Sequence, residues 1–271
     1  LYLLSDWSFL WLYYIVKYRR HVVAQNLANA FPENSDKERR QIARRFYRHL
    51  CDLVVESIKL YAISRRQVQK RMHCVNPQVL NQFGDKTVVL IGGHYSNWEW
   101  YAAFAQLHTP QQAVALYTPI RNTFLDRKMK KARQRFGIRM VNARQLASVY
   151  RDSLRTPLAV IYATDQNPPN PEAAWWLNFL NQDTGVMMGT EHFAVKGNHP
   201  VIYGELRKPR RGHYEVEYRV LCERPADTTF GEITALHTAA LEESIRKRPE
   251  LWLWSHKRWK HKRPEHANQP R

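Results

Sequence analysis

Cysteine, acidic residues and long apolar runs are all scarce in this chain of 271 residues. Its three cysteines, Cys51, Cys74 and Cys222, are widely spaced and odd in number, which excludes a disulfide scaffold and gives no metal-ligand spacing. Buried structural thiols in a reducing, cytosol-facing location are expected. No internal repeat and no long Gly/Ser or Pro linker interrupts the chain, so residues 21–262 are expected to form one domain. The most apolar stretch, Leu1 to Val16, has sixteen residues with Asp6 among them. That is short of the roughly 20 needed to span hydrocarbon. Charges follow this stretch rather than precede it, and no small-residue cleavage site appears, so a cleavable signal peptide is not expected.

The acid deficit is large: 42 Lys and Arg stand against 24 Asp and Glu, a formal charge of +18. Such an imbalance implies an anionic partner, which composition leaves open among nucleic acid, an acidic protein and an anionic membrane. Aromatic residues in the first sixteen, followed at once by Lys17, Arg19 and Arg20, favour a membrane-anchor or interfacial helix over residues 1–20, with an amphipathic core helix as the alternative. Because the chain opens on Leu, this stretch is expected to be the end of a longer anchor.

Ser35-Asp36-Lys37-Glu38 reads as a capping box opening a long helix, in which Ile42, Phe46, Leu50, Leu53, Val54 and Leu60 recur at helical spacing. The region to about Ser64 is expected to be helical. From Met72 short apolar runs alternate with helical stretches: strands are expected at Val88–Ile91, Ala113–Tyr117, Ile138–Val141, Leu158–Ala163 and Val201–Leu206, with helices near Asn97–His108, Asn122–Phe136 and Gln145–Leu154. Tyr214–Val220 adds a strand antiparallel to its predecessor, and a last helix covers Ile233–Arg246. The expected fold is α/β, a mixed, mostly parallel sheet flanked by helices, with an N-terminal helical membrane-associated region. Residues 263–271 read as a frayed tail.

His94-Tyr95-Ser96-Asn97-Trp98-Glu99 follows the first of these strands through Gly92-Gly93. A histidine and a carboxylate five residues apart do not face each other within a helix, so they pair only if the turn bends His94 back, which the glycines permit. A nearby carboxylate favours the charged imidazole and fixes its tautomer, so His94 could take a proton from a hydroxyl. The bland alternative is a turn histidine beside a glutamate that complements the helix dipole. Tyr117–Asn122 and Asp165–Pro169 follow other strands and should reach the same sheet edge, where Arg121, Asn122 and Asp165 could meet a ligand. Asn178–Gly185 reads as a mixed loop, and Thr190 as the cap of a following helix. The tail interleaves Trp252, Trp254 and Trp259 with His256, Lys257, Arg258 and Lys260, which suits stacked bases or lipid headgroups.

In this order, His94 to Glu99, Asp165-Gln166, Phe179 to Thr184 with Gly189, and Trp252 to Trp259, the chain resembles the bacterial lipid A biosynthesis acyltransferases, the late acyltransferases of lipopolysaccharide assembly. The resemblance runs from about Arg19 to Lys260. It departs at Thr118, where the family has a basic residue after the aromatic matched by Tyr117; Arg121 is the substitute. It implies a glycerol-phosphate acyltransferase-like fold and an enzyme on the cytoplasmic face of the inner membrane. The implied donor is a fatty acyl thioester of acyl carrier protein, and the acceptor is a hydroxyl of a lipid A precursor. His94 is then the general base and Glu99 the residue that orients it; Arg121, Asn122, Asp165 and Arg258 bind substrate. The implied attack on the thioester is direct, without cofactor, metal or covalent intermediate, and no Gly-x-Ser-x-Gly elbow is present. An acidic carrier, a phosphorylated saccharide and an anionic leaflet would each explain the charge, and no nucleic-acid motif appears. A lysophospholipid or aminolipid acceptor is the nearest alternative. A basic nucleic-acid or membrane-surface binding protein without catalysis is the alternative from another class.

Overall fold

The computed structural model describes residues 1–152 and 156–268. Helix α1 (Tyr2–Leu10) runs on through a π-helical turn at Trp11–Val16, and α2 (Arg20–Ala30) follows. One stripe of α1, with Ser5 and Phe9, is buried, whereas Leu3, Leu4, Trp7, Trp11 and Ile15 stand exposed. Among the described residues no helix is long and apolar enough to cross a membrane. Helix α3 (Asp36–Lys59) opens on the expected capping box, with Ser35 and Glu38 satisfying each other's backbone amides, and buries Ile42, Phe46, Cys51 and Leu53.

The remaining elements are α4 (Arg65–Gln69), β1 (Met72–Cys74), α5 (Gln78–Asn81), β2 (Val88–Gly92), α6 (Trp98–Phe104), β3 (Gln112–Tyr117), α7 (Thr123–Arg133), β4 (Arg139–Asn142), α8 (Leu146–Asp152), β5 (Leu158–Ala163), β6 (Ala174–Phe179), β7 (Gln182–Met187), α9 (Gly189–Gly197), β8 (Val201–Arg210), β9 (His213–Cys222) and α10 (Glu232–Lys247). The main sheet has the order β1-β9-β8-β2-β5-β3-β4. Its pairs are parallel except β8 with β9, so the sheet is mixed and mostly parallel as expected.

Alternation along the strands separates two cores. Ala113, Ala115, Ala159 and Ile161 join the large cluster shared with α3 and the N-terminal helices, whereas Val114, Leu158 and Val160 face a smaller cluster with Val141 and Leu146. Both faces of the sheet are therefore buried, which is why its strands read as continuous apolar runs.

Three expectations change. Asn178–Gly185 is not a loop: β6 and β7 form a two-stranded hairpin whose turn residues Leu180 and Asn181 take φ of 52° and 61°. Helix α9 starts at Gly189, so Thr190 sits inside the first turn instead of capping it. The strand β1, only three residues long, is an addition at the sheet edge. The expected end of α8, at Leu154, lies outside the described residues, as do residues 269–271 of the expected frayed tail.

Candidate active site

Strand β2 ends in Gly92-Gly93 and delivers His94 to the carboxyl edge of the parallel strands, where β3, β4 and β5 also end. A side chain at position 93 would place its Cβ 2.9 Å from a Leu241 methyl and 3.1 Å from the Asp165 carboxyl carbon. A Cβ there would displace the Leu241 methyls and press the Asp165 carboxyl back by a few tenths of an ångström. The backbone amide of His94 donates to Asp165 Oδ2 at 2.8 Å, and His94 Nδ1 lies 2.7 Å from Asp165 Oδ1. The indole of Trp252 donates to the same Oδ2 at 2.8 Å. Asp165 is 6 % exposed, and its buried charge is held by three donors.

The network assigns the tautomer of His94. Nδ1 carries the hydrogen given to Asp165, and Nε2 accepts from the Gln166 side-chain amide at 3.2 Å. Burial alone would lower the pKa of His94, but the charge of Asp165 and its hydrogen bond outweigh burial and raise it, with a smaller upward push from Glu99. Burial likewise opposes ionisation of Asp165, and the adjacent imidazole and the donated hydrogen bonds overcome it, so its pKa falls. An imidazole so held can take a proton at Nε2 and keep the resulting charge next to a carboxylate.

The turn that carries His94 is braced from two sides. From the C-terminal segment, Leu253 N donates to His94 O, Ser96 N donates to Leu251 O at 2.8 Å, and Tyr95 bridges Trp252. From α3, the imidazole of His49 meets Ser96 O at 3.0 Å and Glu56 accepts from Asn97 Nδ2 at 2.7 Å. This bracing holds Ser96 at φ 53°, an unfavourable conformation for a residue with a Cβ. Asn97 caps α6 by accepting from Trp100 N.

Glu56 was not legible as a site residue. Buried in the core, it also accepts from Tyr2 of α1 at 2.7 Å and from Tyr214 of β9 at 2.6 Å, so one carboxylate ties the N-terminal helix to the turn that carries His94. Burial raises its pKa against the pull of these donors. Replacing Glu56 by Ala strands two buried donors and a part-buried one, and urea unfolding is expected to show a loss of about 3 kcal/mol.

Glu99, expected to orient His94, makes its hydrogen bonds elsewhere. It lies in the first turn of α6 and forms a two-pronged ion pair with Arg133 of α7, at 2.8 Å and 2.6 Å. The hydrogen-bonded partner of His94 is Asp165, not Glu99. The physical reason is the Asn97 cap: the helix begins at Trp98, which turns Glu99 towards α7 while the preceding turn sends His94 towards the end of β5. Both side chains still line one cavity.

That cavity has a volume of about 520 Å³, and His94, Trp98 and Gln166 are among its lining residues. Its walls are mainly apolar, including Leu116, Met129, Met140, Ile161 and Leu206, with Glu99, Lys130 and Arg133 as the charged members that matter here. Size and lining suit an elongated apolar ligand with a polar end.

The other expected site residues separate. Asp165, expected among the substrate-binding residues, is buried and hydrogen-bonded to His94. Asn122 caps α7 by accepting from Phe124 N and Leu125 N. Arg121 is exposed next to Ile120, a residue of the cavity wall. Arg258 is 3 % exposed and donates to Gly185 O of β7, so it clamps the hairpin from within instead of presenting a surface cation. Burial pushes its pKa down to about 10. Trp252 and Trp254 are buried in an aromatic cluster with Phe179 and Phe31 and offer no face to bases or headgroups.

Fold and site together define an α/β enzyme in which a histidine–aspartate pair opens on an apolar cavity at the carboxyl edge of the sheet. Residues 8–261 match the family model described as bacterial lipid A biosynthesis acyltransferase, and the chain belongs to that family. It is similar to the lipid A biosynthesis acyltransferase of Haemophilus influenzae, with 24 % identity over 260 residues, 93 % of this chain and 82 % of that protein. It is also similar to the lipid A biosynthesis palmitoleoyltransferase of Escherichia coli, with 23 % identity over 249 residues, 90 % of this chain and 80 % of that protein.

Proposed function

We propose that this protein moves a fatty acyl chain from an acyl carrier protein thioester to a hydroxyl of a lipid A precursor, with His94 as general base. The observation that carries this reading is the fixed tautomer of His94, whose Nε2 is directed at Gln166 and the cavity while Nδ1 is engaged by Asp165. The acceptor hydroxyl displaces the Gln166 amide from Nε2 and gives its proton there. Its oxygen attacks the thioester carbonyl carbon, and Gln166 is the amide donor nearest to the developing oxyanion. As the tetrahedral species collapses, the carbon–sulfur bond breaks and the proton on Nε2 passes to the leaving thiolate. Asp165 stabilises the imidazolium throughout, without being protonated itself. Glu99 holds Arg133 in the cavity wall and adds to the negative field at His94. The apolar walls take the acyl chain, in keeping with the acyl group named for the Escherichia coli relative.

In this reading residues 21–262 act as one acyltransferase unit, and the exposed apolar residues of α1 with Lys17, Arg19 and Arg20 rest on the cytoplasmic leaflet of the inner membrane. The test is mass spectrometry of the product formed from an acyl carrier thioester and a lipid A precursor. The expected result is a precursor heavier by one acyl chain, absent with His94→Ala. An unchanged precursor alongside an acylated lysophospholipid contradicts the choice of acceptor.

A further inference from the structure

Helix α7 and the residue Ile120 before it contribute to the cavity wall, through Ile120, Asp126, Met129, Lys130 and Arg133. Of residues 121–135, seven are basic and only Asp126 is acidic. Asp126 is occupied within the segment, accepting from Ile120 N at 2.9 Å. Among the described residues, no carboxylate pairs with Arg121, Arg127, Lys128, Lys130 or Lys131. The contrast with the opposite end of the sheet is sharp. There Arg207, Lys208, Arg211, Arg219, Arg246 and Lys247 each meet an Asp or Glu. Five cations without a carboxylate partner thus lie on or just before a helix that also forms part of the cavity wall.

Phe124 and Leu125 are 58 % and 50 % exposed at the start of the same helix. Beyond them a groove of about 440 Å³ lies between Arg127, Lys130, Lys131, Gln134 and Arg135. An eleven-residue helix is about 16 Å long, more than one phosphate group covers and a fair match to the face of another helix. The balance of five unpaired cations to two exposed apolar side chains also differs from α1, whose exposed surface is mainly apolar and fits lipid. A cationic face with an aromatic anchor fits an acidic protein surface.

We propose that the outer face of α7, with Arg127, Lys128 and Lys131 around Phe124 and Leu125, is the docking surface for an acidic carrier protein that delivers its thioester arm past Ile120 and Met129 to His94. This rests on the carrier-thioester reading of the donor. The test is the triple charge reversal Arg127→Glu, Lys128→Glu, Lys131→Glu, assayed with one acyl chain presented either on acyl carrier protein or on pantetheine alone. The expected result is a KM for the carrier thioester raised about tenfold or more and less sensitive to salt, with kcat/KM for the pantetheine thioester within about twofold of wild type. The pantetheine arm reports that the variant is folded. An unchanged carrier KM overturns the proposal, including where binding to anionic vesicles falls instead, because α7 is then a membrane contact. Equal losses on both thioesters also overturn it. A wild-type enzyme that uses pantetheine thioesters but not carrier thioesters fails at the donor reading itself, which is a separate outcome.

Discussion

His94→Ala is expected to lower kcat by about 10³-fold, within the range of general acid–base catalysis, with a much smaller change in KM. The imidazole is hydrogen-bonded to both Asp165 and Gln166 and lines the cavity, so its loss removes the proposed proton acceptor and leaves the apolar walls in place. The fold should survive, because Asp165 keeps the donors His94 N and Trp252 Nε1 when the ring is removed. Steady-state kinetics on a carrier thioester, beside a circular dichroism spectrum to confirm folding, checks this. A variant with near-normal kcat removes the mechanism.

Asp165→Asn is expected to cost about 10² to 10⁴ in kcat, and Glu99→Gln about tenfold. The difference follows from the hydrogen bonds. Asp165 Oδ2 receives two donors, His94 N and Trp252 Nε1. An asparagine must turn its single oxygen to that side, which sets its NH₂ group against His94 Nδ1. The ring then accepts at Nδ1 and carries its hydrogen on Nε2, where it cannot take a proton. Glu99→Gln leaves the His94–Asp165 pair in place and weakens the ion pair to Arg133. Kinetics of the two isosteric variants under one condition separates the roles, and the opposite order of losses would return Glu99 to the position of orienting carboxylate.

Much of the fold was legible because both faces of the main sheet are buried: Val88–Ile91 and Leu158–Ala163 read as strands and are strands, and the Ser35 capping box opens α3 as expected. The hairpin β6–β7 was not legible, since its turn falls on Leu180 and Asn181 at positive φ, and leucine carries no turn signal. Strand β1 is too short for a period to show. At the site, sequence placed His94 and Asp165 on one edge but paired His94 with its near neighbour. Spacing reports local geometry, whereas the hydrogen bond that forms joins residues 71 apart. Glu56 escaped because a single carboxylate on a helix resembles any solvated position until its three donors, from α1, the turn after His94 and β9, are brought to it. Arg258 was read as a substrate contact, and its burial was not legible because charge in a basic tail gives no sign of it.

The pH dependence of kcat/KM for wild type, Asp165→Asn and Glu99→Gln tests the central claim most directly. A base acts only when unprotonated, and His94 is raised above its ordinary 6.5, chiefly by Asp165. The wild-type rate should therefore climb with pH through a midpoint above 6.5, where the paired imidazolium gives up its proton. Removing the Asp165 charge leaves burial unopposed by its largest counterweight, so the acid limb should move to lower pH, and by more than in Glu99→Gln. An acid limb that stays in place in Asp165→Asn, or that shifts further in Glu99→Gln, contradicts the assignment of Asp165 as the partner of the catalytic histidine.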